Sequence, residues 1–217
     1  MSPLTTELDH LVVVAESLAQ GAQWCRNTLG VEPQAGGAHA QMGTHNLLLS
    51  IGDGAYLEII AIDPAAPVPS HPRWFDMDSA DSIRRAQGEP FLAAFVARTS
   101  DLDSAIQADP RLGSVRQMRR GDLQWKIAVP EDGALLDAGA MPILIEWPAG
   151  EHPTKRLPLS RCKLQALEIG SEDEGSLRSA WERLGLRASG MLMPFTRRGD
   201  VPPLKASFAT PHGLVSI

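Results

Sequence analysis

The chain is poor in cysteine, with only Cys25 and Cys162 in 217 residues. Two are too few for a disulfide framework or a thiolate zinc site. Cys25 falls on the apolar side of an expected helix and reads as a small buried hydrophobe. Positive charge is also short. Lysine and arginine number 20 against 26 acidic residues, for a net charge of −6. The basic residues are scattered, with Arg119-Arg120 and Arg197-Arg198 the longest clusters, so the stripe that a nucleic acid or an anionic membrane needs is missing. No apolar run approaches the ~20 residues of a transmembrane helix. The opening residues MSPLTTELDH have neither the basic region nor the apolar core of a signal peptide, so the expected location is the cytoplasm. A Gly-rich phosphate loop, a G-x-S-x-G elbow and an HExxH pair are absent as well, which withdraws support from phosphoryl transfer, serine hydrolysis and nucleotide-cofactor chemistry.

What is present is ordinary globular material, 43% hydrophobic and 21% charged, enough to bury a sizeable core. The stretch from Gly43 to Pro64 reads as two apolar strands around an Asp-Gly hairpin turn at Gly52-Asp53-Gly54. Glu58 lies in the middle of the second strand, in Tyr56-Leu57-Glu58-Ile59-Ile60. A carboxylate with apolar neighbours on both sides must be paired, protonated or bound to a cation, because an isolated buried charge is too costly.

The grammar of this segment repeats. A strand at Leu8 to Val14 precedes a helix capped by Ser17 and ended by Gly30. Strands at Phe91 to Arg98 and at Lys163 to Gly170 each lead to a further helix, and all three helices finish in Leu-Gly, at residues 29–30, 112–113 and 184–185. Counting back about twenty residues from each glycine reaches His10, Ala94 and Ala166. Counting forward about thirty reaches Glu58, Glu146 and Ser216. Matching spacings in three places define an internal repeat. The expected fold is α+β, with repeated βαβββ modules whose mixed sheets curl into a half-barrel around a central cavity, helices outside. The expected units are 1–62, a Pro-rich connecting segment 63–90 with a short helix at Asp81 to Arg85, 91–155, and a degenerate third unit 156–217. An odd module leaves a sheet edge or face to cover. It therefore packs either on the first two modules or on the partner in a homodimer.

In this arrangement His10, Glu58 and Glu146 point inward from strand middles. One imidazole and two carboxylates suit a divalent ion such as Mn²⁺, Fe²⁺, Ni²⁺, Co²⁺ or Zn²⁺. The alternative for His10 is a satisfied core histidine. For the two carboxylates it is an ion pair with Arg98, Lys126 or a loop arginine. His45, at the rim of the row His45, Leu47, Leu49 and Ile51, is a candidate base, ligand or substrate contact, with Asn46 beside it. His39 reads as loop. His152 follows the Glu146 strand closely enough to fold over the cavity mouth, while Trp125 and Trp147 are candidates to line a pocket or to fill the core.

Leu8-Asp9-His10-Leu11-Val12-Val13, Gly43-Thr44-His45-Asn46 with Leu57-Glu58, and Ile145-Glu146-Trp147 followed by His152-Pro153 together resemble the glyoxalase-like branch of the vicinal oxygen chelate superfamily, over roughly residues 8 to 155. The resemblance implies paired βαβββ modules around a metal held by the first and last strand of each module. Here those positions are His10, Glu58, Ala94 and Glu146, so Ala94 breaks the four-ligand pattern. It implies an enzyme, a lyase, isomerase or dioxygenase, that chelates vicinal oxygens of a small organic substrate while a nearby base, best His45, moves a proton, with Glu146 taking part. The rival is a metal-free protein of the bleomycin-resistance type that sequesters a small molecule in the same cavity.

Overall fold

The structure is a computed structural model and describes residues 4–199 and 201–217. The first strand, β1 (Thr6–Val14), is rich in β-branched residues and buried along nearly its whole length. Helix α1 (Leu18–Leu29) starts where the Ser17 side chain accepts from Gln20 N, and stops at Gly30, whose φ of 68° is a conformation open to glycine. Then come β2 (Gln34–His39), β3 (Thr44–Ser50) and β4 (Tyr56–Ile62). The Gly52-Asp53-Gly54 turn joins the last two, with Asp53 at φ 49°.

After the connecting segment and α2 (Ala80–Gly88), the pattern returns. It runs β5 (Phe91–Thr99), α3 (Leu102–Ala108), β6 (Ser114–Arg120), β7 (Leu123–Val129) and β8 (Ile143–Glu146). These strands form one eight-stranded mixed sheet in the order β2-β3-β4-β1-β5-β8-β7-β6. The sheet curls until its two edges approach: Gln41 Nε2, just past β2, donates to Gln117 O of β6 at 2.9 Å. The third unit, β9 (Lys163–Ser171), α4 (Glu174–Arg183), β10 (Leu192–Thr196), β11 (Leu204–Thr210) and β12 (Gly213–Ser216), makes a separate four-stranded sheet.

Strand alternation sorts the core into two clusters. Leu11, Val13, Leu57, Ile59, Phe95 and Leu144 face outward, onto α1, α3 and the third unit. The third unit lies on the first two: Trp181 of α4 packs edge-on against Phe95 at 5.9 Å and donates to Ala140 O at 3.3 Å. Val12, Val14, Ile60, Ala94, Val96, Ile143, Ile145, Trp125 and Met118 face inward.

The space they enclose is filled by the connecting segment. Trp74, Phe75 and Met77 are buried among the inward residues, each stabilising by about 1.5–3 kcal/mol through the apolar surface it removes from water. Opposing terms sit in the same segment. Phe75 and Asp76 have φ of 59° and 56°, at a cost of order 1–3 kcal/mol each. Arg73 Nε and Trp74 Nε1 are buried without a hydrogen-bond partner among the described residues, another ~1–3 kcal/mol apiece.

Candidate functional site

The inward face of β1 carries an irregularity that sets the site. Leu8 pairs with Ala97 of β5 but His10 pairs with Val96, so Asp9 is an extra residue in the ladder. This bulge lets two successive side chains meet. Asp9 Oδ1 accepts from His10 Nδ1 at 2.6 Å, and Asp9 Oδ2 accepts from Trp147 Nε1 and from His152 Nε2, both at 3.0 Å. Arg98 Nη1 adds a positive charge 3.8 Å from the same oxygen.

On its other side His10 Nε2 faces Glu58 Oε2 at 3.5 Å, and the Tyr56 ring stacks on the imidazole with centroids 4.5 Å apart. Glu58 Oε1 accepts from Asn46 Nδ2 at 2.5 Å. Asn46 is aimed by Gly37 N, which donates to its Oδ1 at 3.0 Å. Beyond Asn46, His39 Nε2 lies 3.4 Å from the amide nitrogen, while His39 Nδ1 lies 3.1 Å from Thr44 Oγ1. A neutral imidazole with its proton on Nδ1 satisfies both contacts. His10, His39, Asn46 and Glu58 are each at most 5% exposed, so this is a sealed polar chain.

Its charges neutralise one another locally. Burial pulls the His10 pKa down, but the hydrogen bond to Asp9 and the Glu58 carboxylate 3.5 Å away outweigh it and raise it from 6.5 to about 9. Burial pushes Glu58 up, and the nearby His10 imidazolium, with the hydrogen bond from Asn46, more than reverses that, holding it at about 2. Asp9 is likewise held well below the ordinary carboxylate range: burial opposes, and the hydrogen bonds from His10 and His152 prevail. His39 lacks a strong partner, and burial lowers it to about 4. Near neutral pH the chain therefore holds two carboxylates, one imidazolium and one neutral histidine.

The structure brings together His10, Glu58, Asn46, Trp147 and His152 of the residues singled out by sequence, with Trp125 beside Trp147 at 5.3 Å. It separates Glu146 from them. Partners in β5 and β8 (Val96 with Ile143) are one residue further apart in sequence than partners in β1 and β4 (His10 with Tyr56). A one-residue offset moves a side chain to the opposite face of the strand. The inward positions of β8 are thus Ile143 and Ile145. Glu146 points toward α3, where its carboxylate meets Lys126 Nζ at 3.1 Å and accepts from Leu102 N at 2.8 Å. His45 is also turned away: Asn46 faces inward and its neighbour cannot, leaving His45 half-buried 3.9 Å from Asp63 Oδ1. Ala94 lies inward and buried.

Three members of the chain escaped the sequence reading. Asp9 is placed by the bulge, which has no local signature. Tyr56 reads in the sequence only as an apolar neighbour of Glu58. His39 passed as loop because Gly36 and Gly37 precede it, yet those glycines belong to β2 and are needed there. A Cβ on Gly36 would collide with Asn46 Oδ1, and one on Gly37 would come within 2.9 Å of the Arg120 side chain.

A mixed sheet curled into a half-barrel from paired modules is the fold of the vicinal oxygen chelate class. More narrowly, residues 8–185 match the family model for the glyoxalase-like domain, and the chain belongs to that family. No curated protein matches it significantly. Among solved structures, a hypothetical protein from Staphylococcus aureus is similar with a TM-score of 0.55 at 14% identity, covering 97% of this chain and 84% of its own. A methylmalonyl-CoA epimerase from Mycobacterium tuberculosis gives 0.42 at 21% identity, covering 68% of this chain and 92% of its own. A Streptomyces coelicolor methylmalonyl-CoA epimerase in complex with 2-nitronate-propionyl-CoA gives 0.42 at 20% identity, covering 69% of this chain and 99% of its own.

Members of this superfamily often use a divalent metal ion. The residues here fit one poorly. Ligands of a common ion at 2.0–2.2 Å lie about 3 Å apart and converge on one point. Glu58 and His10 approach that spacing, but the second module offers Ala94, Val96, Ile143 and Ile145 in place of further ligands. Among the described residues no three His, Cys, Asp or Glu side chains are arranged to hold an ion. No helix among them is long and apolar enough to cross a membrane.

Proposed function

We propose that the chain binds a small oxygenated organic molecule inside the half-barrel without an ion at the His10–Glu58 position. The observation that carries this reading is the internal pairing of the buried charges. His10 supplies the positive charge that Glu58 requires, and Asn46 supplies its remaining strong hydrogen bond. Neither group is tuned for proton transfer near pH 7, since His10 is held protonated and Glu58 ionised. They are suited instead to orient a ligand hydroxyl or carbonyl, with Trp125 and Trp147 offering flat apolar walls.

The test is calorimetric titration of Mn²⁺, Ni²⁺ and Zn²⁺ into the wild type and Glu58→Gln, beside a thermal-shift screen of small hydroxy- and oxo-compounds. The expected result is no stoichiometric metal binding that depends on Glu58, and ligand shifts that weaken in Glu58→Gln. One equivalent of metal, lost in that variant, overturns the ion-free reading.

A further inference from the structure

The strained residues of the connecting segment are also the residues that seal the site. Trp74 stands edge-on to His39 at 5.1 Å, and Phe75 packs on Trp74 at 5.2 Å. Around them the interior donors are used: Asn46 on Glu58, Trp147 and His152 on Asp9. Trp74 Nε1 is buried without a hydrogen-bond partner among the described residues, as is Arg73 Nε next to it, and the two residues that follow Trp74 are held in the left-handed backbone region. A phenylalanine there meets the steric conflict that glycine avoids. The ties of the segment lie on its backbone and its ends: Asp76 N donates to Gly133 O at 2.9 Å, Met77 N to Trp74 O and Ser79 N to Asp76 O at 3.2 Å, Ser82 Oγ to Asp76 Oδ2 at 3.4 Å, and Arg73 meets Asp78 through its backbone N at 2.7 Å and its Nη1 at 2.6 Å.

Strain and orphaned donors therefore meet in one short segment, which holds two of the five non-glycine residues at positive φ and two of the four unpartnered buried side-chain donors among the described residues, and whose Trp74 covers His39. Backbone outliers of this kind persist where surrounding structure holds them, and they gather at ligand clamps and switch regions.

We propose that residues 73–77 are a self-supplied occupant of the barrel, displaced when a planar, neutral aromatic molecule carrying a hydroxyl group binds in their place. The proposal rests on the binding reading above and names its ligand class. The shape follows from what is displaced, an indole and a phenyl ring, and from the apolar walls left behind, Val12, Ile60, Met118, Leu123 and Trp125. Neutrality follows from the polar end, where Asp9 and Glu58 are already paired with His10, so no unpaired charge is left to hold an ionic ligand out of water. A hydroxyl both donates and accepts, so it can donate a hydrogen bond to Glu58 and accept one from His10 Nε2, whose 3.5 Å contact with Glu58 is longer than a formed hydrogen bond.

The experiment compares two indoles in the full chain by NMR hydrogen exchange. Trp74 and Trp181 are both buried, but Trp181 Nε1 is bonded to Ala140 O and lies in the other core. The Trp74 N–H is expected to exchange at least ten-fold faster than that of Trp181. Asp76→Gly, which relieves the backbone and keeps both plug rings, is expected to slow it several-fold. The probe 2-naphthol is expected to bind saturably and to speed Trp74 exchange while leaving Trp181 unchanged. Trp74 exchanging in step with Trp181, or 2-naphthol binding with no effect on Trp74, overturns the displaced plug and leaves the binding reading intact. Failure of 2-naphthol and every screened compound to bind overturns both.

Discussion

Asp9 and His10 are neighbours in sequence and partners in space, joined Oδ1 to Nδ1 at 2.6 Å across a bulge in the first strand. In a regular strand their side chains point to opposite faces. The bulge turns both inward and makes an imidazolium flanked by two carboxylates the centre of the barrel.

Stability should form a dome with pH, highest near pH 6.5. His10 has a folded pKa raised to about 9, so its contribution is complete below 6.5 and is lost as pH rises toward 9. His39 has a folded pKa lowered to about 4, so protonation favours the unfolded chain as pH falls from 6.5 to 4. Glu58 and Asp9, both lowered, extend the loss below pH 4.5. Urea midpoints across pH 4 to 10 check this. His39→Gln should flatten the upper part of the acid limb and leave the alkaline limb in place.

Glu58 and Glu146 should behave as opposites. Removing His10 or Glu58 strands a buried charge, so His10→Ala or Glu58→Ala is expected to cost about 3–5 kcal/mol. Glu146 sits at the surface with Lys126, and Glu146→Gln should cost no more than about 1 kcal/mol. Chemical denaturation measures both. Equal losses would mean that Glu146 belongs to the buried network after all.

Gly36→Ala should damage the site from a distance. The added methyl collides with Asn46 Oδ1, so Asn46 must let go of either Gly37 N or Glu58. A loss of about 1–3 kcal/mol is expected, the cost of an unsatisfied buried polar group. Ligand affinity should fall with it, while Gly88→Ala, where a Cβ meets open space, should stabilise α2 slightly.

The third unit should unfold together with the first two. Trp181 is buried against Phe95, and Trp181→Ala is expected to cost about 3–5 kcal/mol through the cavity it leaves. A single calorimetric transition in the wild type and in the variant supports one cooperative core. Two resolved transitions refute it.

Local patterns carried much of the architecture. The Leu-Gly helix ends, the Asp-Gly turn and the alternation around Glu58 correspond to α1, the β3–β4 hairpin and a buried carboxylate in the structure. The short helix expected at Asp81 to Arg85 lies within α2. The second helix, by contrast, ends at Ala108, and a separate turn over Pro110–Leu112 brings the chain to Gly113. Counting residues from Gly113 therefore measured a different path from counting from Gly30: Glu58 pairs with Val12, two residues after His10, whereas Val96, two residues after Ala94, pairs with Ile143, so Glu146 lies three positions too far along and on the other face.

By itself, the sequence determined that Glu58 is buried and that the chain falls in the glyoxalase-like group. These follow from hydrophobic periodicity and turn residues, which act over a few positions. Only the tertiary structure decided what satisfies Glu58. A bulge places Asp9, a register offset removes Glu146, β2 carries His39 inward, and the connecting segment fills the barrel with Trp74 and Phe75. Each depends on which strand lies beside which, and in what register, across dozens of residues. A single inserted residue reverses the face of every side chain after it, and short-range patterns do not record that insertion.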